Sequence, residues 1–264
     1  MNDVFSMNRF ALLFKKTIAE RPIQTIGVVL LLLALSFMLY LITKKVFGFE
    51  PAQNLTFLWG LAGGGFFLGS FVFGYFGSNS NGSSYLTLPA SFFEKWLCGI
   101  LIAGILYPAI FLLFYHFIDV SFVSAYHKSL DPNSLFYKEQ YESAYTFNLN
   151  GIVAWKVYPI FLLITGSMLT GSLYFNKIAF IKTAIAISVI TFLIIGINWL
   201  IAGAIFKDIK DVRPYDHVTL FVGKESGTLL LPPHLDNFFH VALSFVLPVF
   251  LWFLPLLRLR EKEF

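Results

Sequence analysis

The chain has 264 residues, of which 57% are hydrophobic and 13% charged, and its mean hydropathy is +0.74. Soluble domains carry roughly 25% charged residues, so the composition excludes an ordinary soluble domain and predicts a membrane protein. The net charge of +4 is spread along the chain without a dense Lys/Arg block, which gives no reason to expect a nucleic-acid partner.

Residues 1–22 predict an amphipathic helix. Phe10, Leu13, Phe14, Thr17 and Ile18 recur at helical spacing, with Arg9, Lys16 and Glu20 elsewhere on the wheel. A basic-faced helix just before a span is expected to lie in the plane of the lipid headgroups. No cleavable signal peptide is expected, because the first apolar run is long enough to span and no small-x-small pattern follows it.

Six apolar runs long enough to cross hydrocarbon follow, at about 23–43, 54–77, 96–118, 152–175, 178–206 and 238–257. The second carries Gly60, Gly64, Gly65 and Gly69. Spaced as small-xxx-small, these glycines predict close helix packing, within the bundle or across a dimer. The only cysteine, Cys98, excludes an internal disulfide framework and reads as a small apolar side chain.

Residues 79–95 form the most sharply punctuated connection. Ser91 and Glu94 fit a capping box that starts the third span. Pro89 disfavours helix at Leu88, so an upstream helix must stop before it. Between Asn79 and Leu88 there is room for about two helical turns, a short element expected to present Tyr85, Leu86 and Leu88 for another protein to grip.

Two longer segments, 119–151 and 207–237, exceed ordinary connections, and such loops are often functional. The second predicts a hairpin, Val218–Val222 and Thr228–Leu231 around a turn at 223–227. With the N-terminus inside, Arg9, Lys15, Lys16, Arg21, Lys95, Lys177, Lys182, Arg258, Arg260 and Lys262 lie on the cytoplasmic side. Lys44, Lys45, Lys128, Lys138, Lys156, Lys207, Lys210, Arg213 and Lys224 lie outside, so the tally is ten against nine. Long loops translocate largely regardless of charge. Setting them aside, and with ten of the fifteen acidic residues outside, both termini are expected in the cytoplasm.

Catalytic patterns are sparse. Gly223-Lys224-Glu225-Ser226 lacks the upstream spacing of a phosphate loop. His116, His127, His217, His234 and His240 are scattered without metal-ligand spacing. Ser70 beside Gly69 has no intramembrane partner base in view, and the predicted spans hold no Asp or Glu at mid-depth for a proton relay. Asn198 and Trp199, in the fifth span, are the candidate pathway residues.

The amphipathic start, the six spans and the loop Gly82-Ser-Ser-Tyr-Leu-Thr-Leu-Pro-Ala-Ser-Phe-Phe-Glu-Lys95 together resemble the permease subunits of type-two ABC exporters. The ending Leu-Pro-Ala-Ser-x-x-Glu-Lys resembles a bacterial, Bacteroidota-like subgroup. Where many relatives carry Arg and Glu, this loop is rich in Ser and Asn, and its connection before the sixth span is polar rather than a clear pair of re-entrant helices. The resemblance implies an all-α inner-membrane permease that pairs with a second copy or a similar chain. It also implies that the loop docks on a separate ATP-binding cassette subunit. Gly82, Ser83, Ser84, Tyr85, Leu86 and Leu88 would face that subunit, and Pro89, Ser91 and Glu94 would fix the loop's exit. ATP and Mg would be held by the partner and no cofactor by this chain, which would not itself be an enzyme. A hydrophobic or amphipathic substrate is expected to be exported among membrane lipids. The alternative is a structural or assembly membrane protein working through its external loops.

Overall fold

The computed structural model of the chain describes residues 5–77, 79–175, 178–206, 209–222 and 225–261. Lys177, Lys207, Lys262 and the Gly223-Lys224 pair lie outside the described residues. Among the described residues, six helices are long and apolar enough to cross a membrane: Ile23–Phe47, Phe49–Val72, Phe92–Ser129, Ile152–Tyr174, Ala179–Ile205 and Pro233–Glu261, here spans 1 to 6. The protein is an all-α, multi-pass membrane protein, and its described residues add one small sheet outside the helices.

Span 2 is central, with 56% of its apolar window buried, whereas span 5 has none and lies at the periphery. Phe57 of span 2 is the aromatic hub. Its ring lies 4.7 Å from Phe147, 5.3 Å from Tyr115 and 5.9 Å from Tyr158. Phe147 belongs to the segment after span 3, so that segment is plugged into the bundle.

The spans depart from the sequence-based bounds in instructive ways. The expected loop over residues 44–53 contracts to Gly48, whose N–H caps the Lys44 carbonyl at 3.1 Å. Its φ of +89° and ψ of −172° fall in a region essentially reserved for glycine, which lets span 2 start at Phe49 rather than at 54. Span 3 runs on to Ser129, well past the expected end at 118, because residues 119–129 keep an inward face through Asp119 and Val123.

Prolines shape spans 3 and 6. Pro108 and Pro248 each follow by two residues a wider π-type turn, Leu101–Leu106 and Ala242–Val246, a local rearrangement that absorbs a missing N–H. Pro255 cannot donate to the Leu251 carbonyl, and Thr170 Oγ1 donates to that oxygen at 2.9 Å. Inside a bilayer a freed backbone acceptor needs such a donor. Trp252 ties spans 3, 4 and 6 together: its indole N–H donates to Leu162 O and its carbonyl accepts from Trp96, both at 2.8 Å.

Between spans 5 and 6 lies an antiparallel sheet in the order β1 (Ile209–Arg213), β2 (His217–Val222) and β3 (Glu225–Leu230). The expected hairpin is there, but Val222 pairs directly with Glu225, so Glu225, Ser226 and Gly227 are strand and not turn. The sequence Ile-Lys-Asp-Val-Arg hid β1, whose single buried position is Val212. Tyr215, at φ +62°, places its ring 4.7 Å from Phe239 and seats the sheet on span 6.

The connectivity defines two ends of the bundle. One, the linker end, carries the amphipathic helix, residues 79–91 and the close of span 6. The other, the sheet end, carries Gly48, residues 130–151 and the sheet.

Candidate functional site

The linker between spans 2 and 3 contains a helix at Asn79–Leu86, the two turns expected, and Leu88 and Pro89 lie outside it. The capping box is complete: Ser91 Oγ accepts from the Glu94 N–H at 3.1 Å, and Glu94 Oε2 accepts from the Ser91 N–H at 2.8 Å. Two adjacent residues, Glu94 and Lys95, then join three parts of the protein.

Glu94 is 0% exposed. Beyond its own cap, its Oε1 accepts from the Ser6 N–H at 2.7 Å and from Arg9 Nη2 and Nε at 3.0 and 3.3 Å. One carboxylate thereby caps span 3 and fastens the amphipathic helix Met7–Glu20 by its start. Lys95, 1% exposed, points the other way. Its Nζ donates to the carbonyls of Leu86 and Leu88 at 2.8 and 3.3 Å, satisfying acceptors that the end of the linker helix leaves open. A cation also suits the negative end of that helix dipole.

The far end of the amphipathic helix is held as well. The Arg21 guanidinium lies 3.9 Å from the Tyr75 ring centre, and Tyr75 stacks on Tyr85 at 4.5 Å with 16° between planes. Burial, with Cys98 and Tyr75 close by, raises the Tyr85 phenol well above its ordinary 10. Tyr75 is also raised, by burial first and then by Glu20, against an opposing pull from Arg21. Both phenols therefore stay neutral at physiological pH, and the stack needs no counter-ion.

This geometry revises the presented face. Tyr85 was expected to face a partner but is 5% exposed and turned into the bundle. Gly82 is buried beside it, and Leu86 and Leu88 are half-buried and packed against the core. From Gly82 to Pro89, Ser83, Ser84, Thr87 and Pro89 are the exposed residues. The amphipathic helix also packs on the bundle: Leu13 and Thr17 are buried, and Phe10 and Phe14 lie against the core, while Met7 and Leu12 stay exposed.

The glycines of span 2 pack within the chain. A Cβ on Gly60 would meet Phe111, on Gly64 the ring of Tyr107, on Gly65 the side chains of Thr165 and Phe161, and on Gly69 Met168 and the Thr165 carbonyl at 3.0 Å. Of the two alternatives, intra-bundle packing against spans 3 and 4 is the one observed. The Tyr107 hydroxyl donates to the Gly60 carbonyl, so Gly64→Ala must displace both ring and hydrogen bond. Overpacking of this kind costs about 1–3 kcal/mol, and we expect that loss in thermal melts of the purified protein.

Asn198 donates to the Ile194 carbonyl of its own helix at 2.9 Å and lines a cavity of about 300 Å³ beneath the sheet. Trp199 is 47% exposed and does not line that cavity, so the pair does not act as one site. Ser70 Oγ donates to the Phe66 carbonyl at 2.7 Å. Among the described residues, no three His, Cys, Asp or Glu side chains are grouped to hold a metal ion.

Sequence reasoning missed a buried carboxylate at the sheet end. Asp119, 1% exposed, accepts from Tyr40 Oη and Gln53 Nε2 at Oδ1, both at 2.8 Å, and from the Phe147 N–H at Oδ2, at 2.6 Å. Gln53 also donates to the Tyr145 carbonyl at 2.7 Å. Spans 1, 2 and 3 and the segment around Phe147 thus meet on one side chain. The clue in the sequence was an acid directly after an apolar run, one residue beyond the expected end of span 3.

No protein-family model, no curated protein and no solved structure matches the chain.

Proposed function

We propose that the chain is the membrane-spanning permease subunit of an ATP-driven ABC exporter in a bacterial inner membrane. The single observation that carries this reading is how the linker is held. The linker offers Ser83 and Ser84 of its short helix, and Thr87 and Pro89 after it, outward, while Lys95 holds the helix end and Tyr85 its buried side. A docked ATP-binding subunit, carrying ATP and Mg, would push on that outward face. The displacement would pass through Lys95 and Glu94 into span 3 and, through Arg9 and Arg21, into the amphipathic helix. In this reading the linker end and both termini are cytoplasmic, and a second copy or a similar chain completes the pathway.

A hydrophobic or amphipathic substrate fits best. Spans 1, 2 and 4 frame a groove of about 500 Å³ lined by Leu35, Leu39, Trp59, Gly63, Phe67 and Ile164 among others. Its lining carries no charged side chain.

The test is co-purification in mild detergent. Wild type should retain an ATP-hydrolysing polypeptide. Ser83→Glu/Ser84→Glu, which loads charge onto the outward face without touching a buried residue, should lose it while keeping the wild-type melting temperature. Absence of any ATPase from the wild-type preparation would leave an assembly protein working through its sheet-end loops.

A further inference from the structure

A second groove lies between spans 4 and 6 at the sheet end. It encloses about 640 Å³ and is lined by Asn150, Trp155, Lys156, Leu163, His240 and Phe245, with apolar residues and one hydroxyl, Ser244, between them. Both walls are irregular there: Pro159 sits inside span 4, and the π-type turn Ala242–Val246 interrupts span 6. Such turns often occur at functional sites.

The polar groups are sorted by depth. Lys156 lies four residues into span 4 and His240 seven into span 6, about 6 and 10 Å from the helix starts. Trp155, next to Lys156, is the residue type enriched at headgroup level. Ile160, Leu163, Leu243 and Phe245 continue the groove toward the bilayer centre, where Ser244 is the one polar side chain and none is charged. The lining holds two basic side chains and no acidic one. Lys156 is exposed and makes no ion pair among the described residues, which leaves its ammonium available to a headgroup phosphate at this depth.

We infer that this groove binds an anionic phospholipid of the leaflet at the sheet end. The phosphate sits against Lys156 and an imidazole N–H of His240, and an acyl chain runs down between spans 4 and 6. Basic pockets between transmembrane helices bind anionic headgroups in this manner. The lipid site stands independently of the permease proposal, since it needs neither an ATPase nor transport.

The experiment is native mass spectrometry of the full chain released from detergent, titrated with phosphatidylglycerol, phosphatidylcholine or inorganic phosphate. Wild type is expected to retain phosphatidylglycerol about tenfold more tightly than phosphatidylcholine, and Lys156→Gln/His240→Gln to lose that preference. Leu243→Trp, which fills the apolar half, should weaken both lipids. Equal retention of phosphatidylglycerol by wild type and the double variant overturns the site. So does displacement of the lipid by millimolar phosphate, which would make it a free-phosphate site. If the double variant melts early, Lys156→Gln is set against Lys156→Arg. Loss in the first with retention in the second supports the site, and any other pattern overturns it.

Discussion

Glu94→Ala is expected to release the amphipathic helix from the linker and to lower stability by about 2–4 kcal/mol. The figure combines loss of a capping box, about 1 kcal/mol, with loss of charge-assisted hydrogen bonds worth about 1.5–3 kcal/mol each. It stays below the full sum because the carboxylate is covered by a thin shell of chain at the end of the bundle rather than by the deep core. For a chain of this size the melting temperature should fall by on the order of 5–10 °C. The more specific readout is hydrogen exchange. Amides of residues 6–20 should exchange faster in the variant, while span 2 around Phe57 stays protected. Uniform loss of protection, or none along residues 6–20, would show that Glu94 does not fasten this helix. Glu94→Gln keeps the volume and one acceptor but loses the charge, so about half the effect is expected.

Asp119→Asn should be nearly as damaging as Asp119→Ala, which is unusual for so conservative an exchange. Three donors converge on the carboxylate, two on one oxygen and a backbone N–H on the other. An amide offers one acceptor and one donor. Turned one way, its NH₂ confronts the Phe147 N–H. Turned the other, it confronts Gln53, which can present its oxygen only by giving up its bond to the Tyr145 carbonyl. Either way at least one native donor and the amide's own NH₂ go unpaired, at about 1–3 kcal/mol each, so we expect about 3–5 kcal/mol for Asp119→Asn, close to the cost of Asp119→Ala. Residues 130–151 should lose protection first, because the Phe147 anchor goes with the carboxylate. A thermal melt of Asp119→Asn within ~2 °C of wild type would contradict this account of the sheet end.

What the sequence made legible followed from local chemistry. Six spans emerged from long apolar runs, and the linker helix and its stop emerged from Pro89, Ser91 and Glu94, whose effects reach only a few residues. What it hid was direction. Tyr85 reads as an exposed aromatic on a polar loop, and the rings of Tyr75 and Phe76, ten and nine residues earlier, receive it on the inside. Arg9 and Glu94 are eighty-five residues apart, and no periodicity links them. The glycines of span 2 predicted close packing, but whether Tyr107 and Thr165 or a second copy would fill the space is a tertiary question. Asp119 was missed because hydropathy ends a span at the first acid, whereas three donors from elsewhere in the chain make burial of that acid tolerable. Strand β1 was missed for the related reason that pairing with β2, rather than its own charged composition, makes it a strand.

The measurement that bears most directly on the coupling role proposed for the linker is site-directed photo-cross-linking in native membranes. A photoreactive side chain is placed at Ser84, on the outward face, and, in a separate control variant, at Leu135, which is 97% exposed at the sheet end. The permease account predicts an adduct between position 84 and an ATP-binding polypeptide, strengthened when nucleotide is trapped, and none from position 135. An ATP-binding adduct from position 135, or no such adduct from position 84 in protein with a wild-type melting temperature, would contradict it.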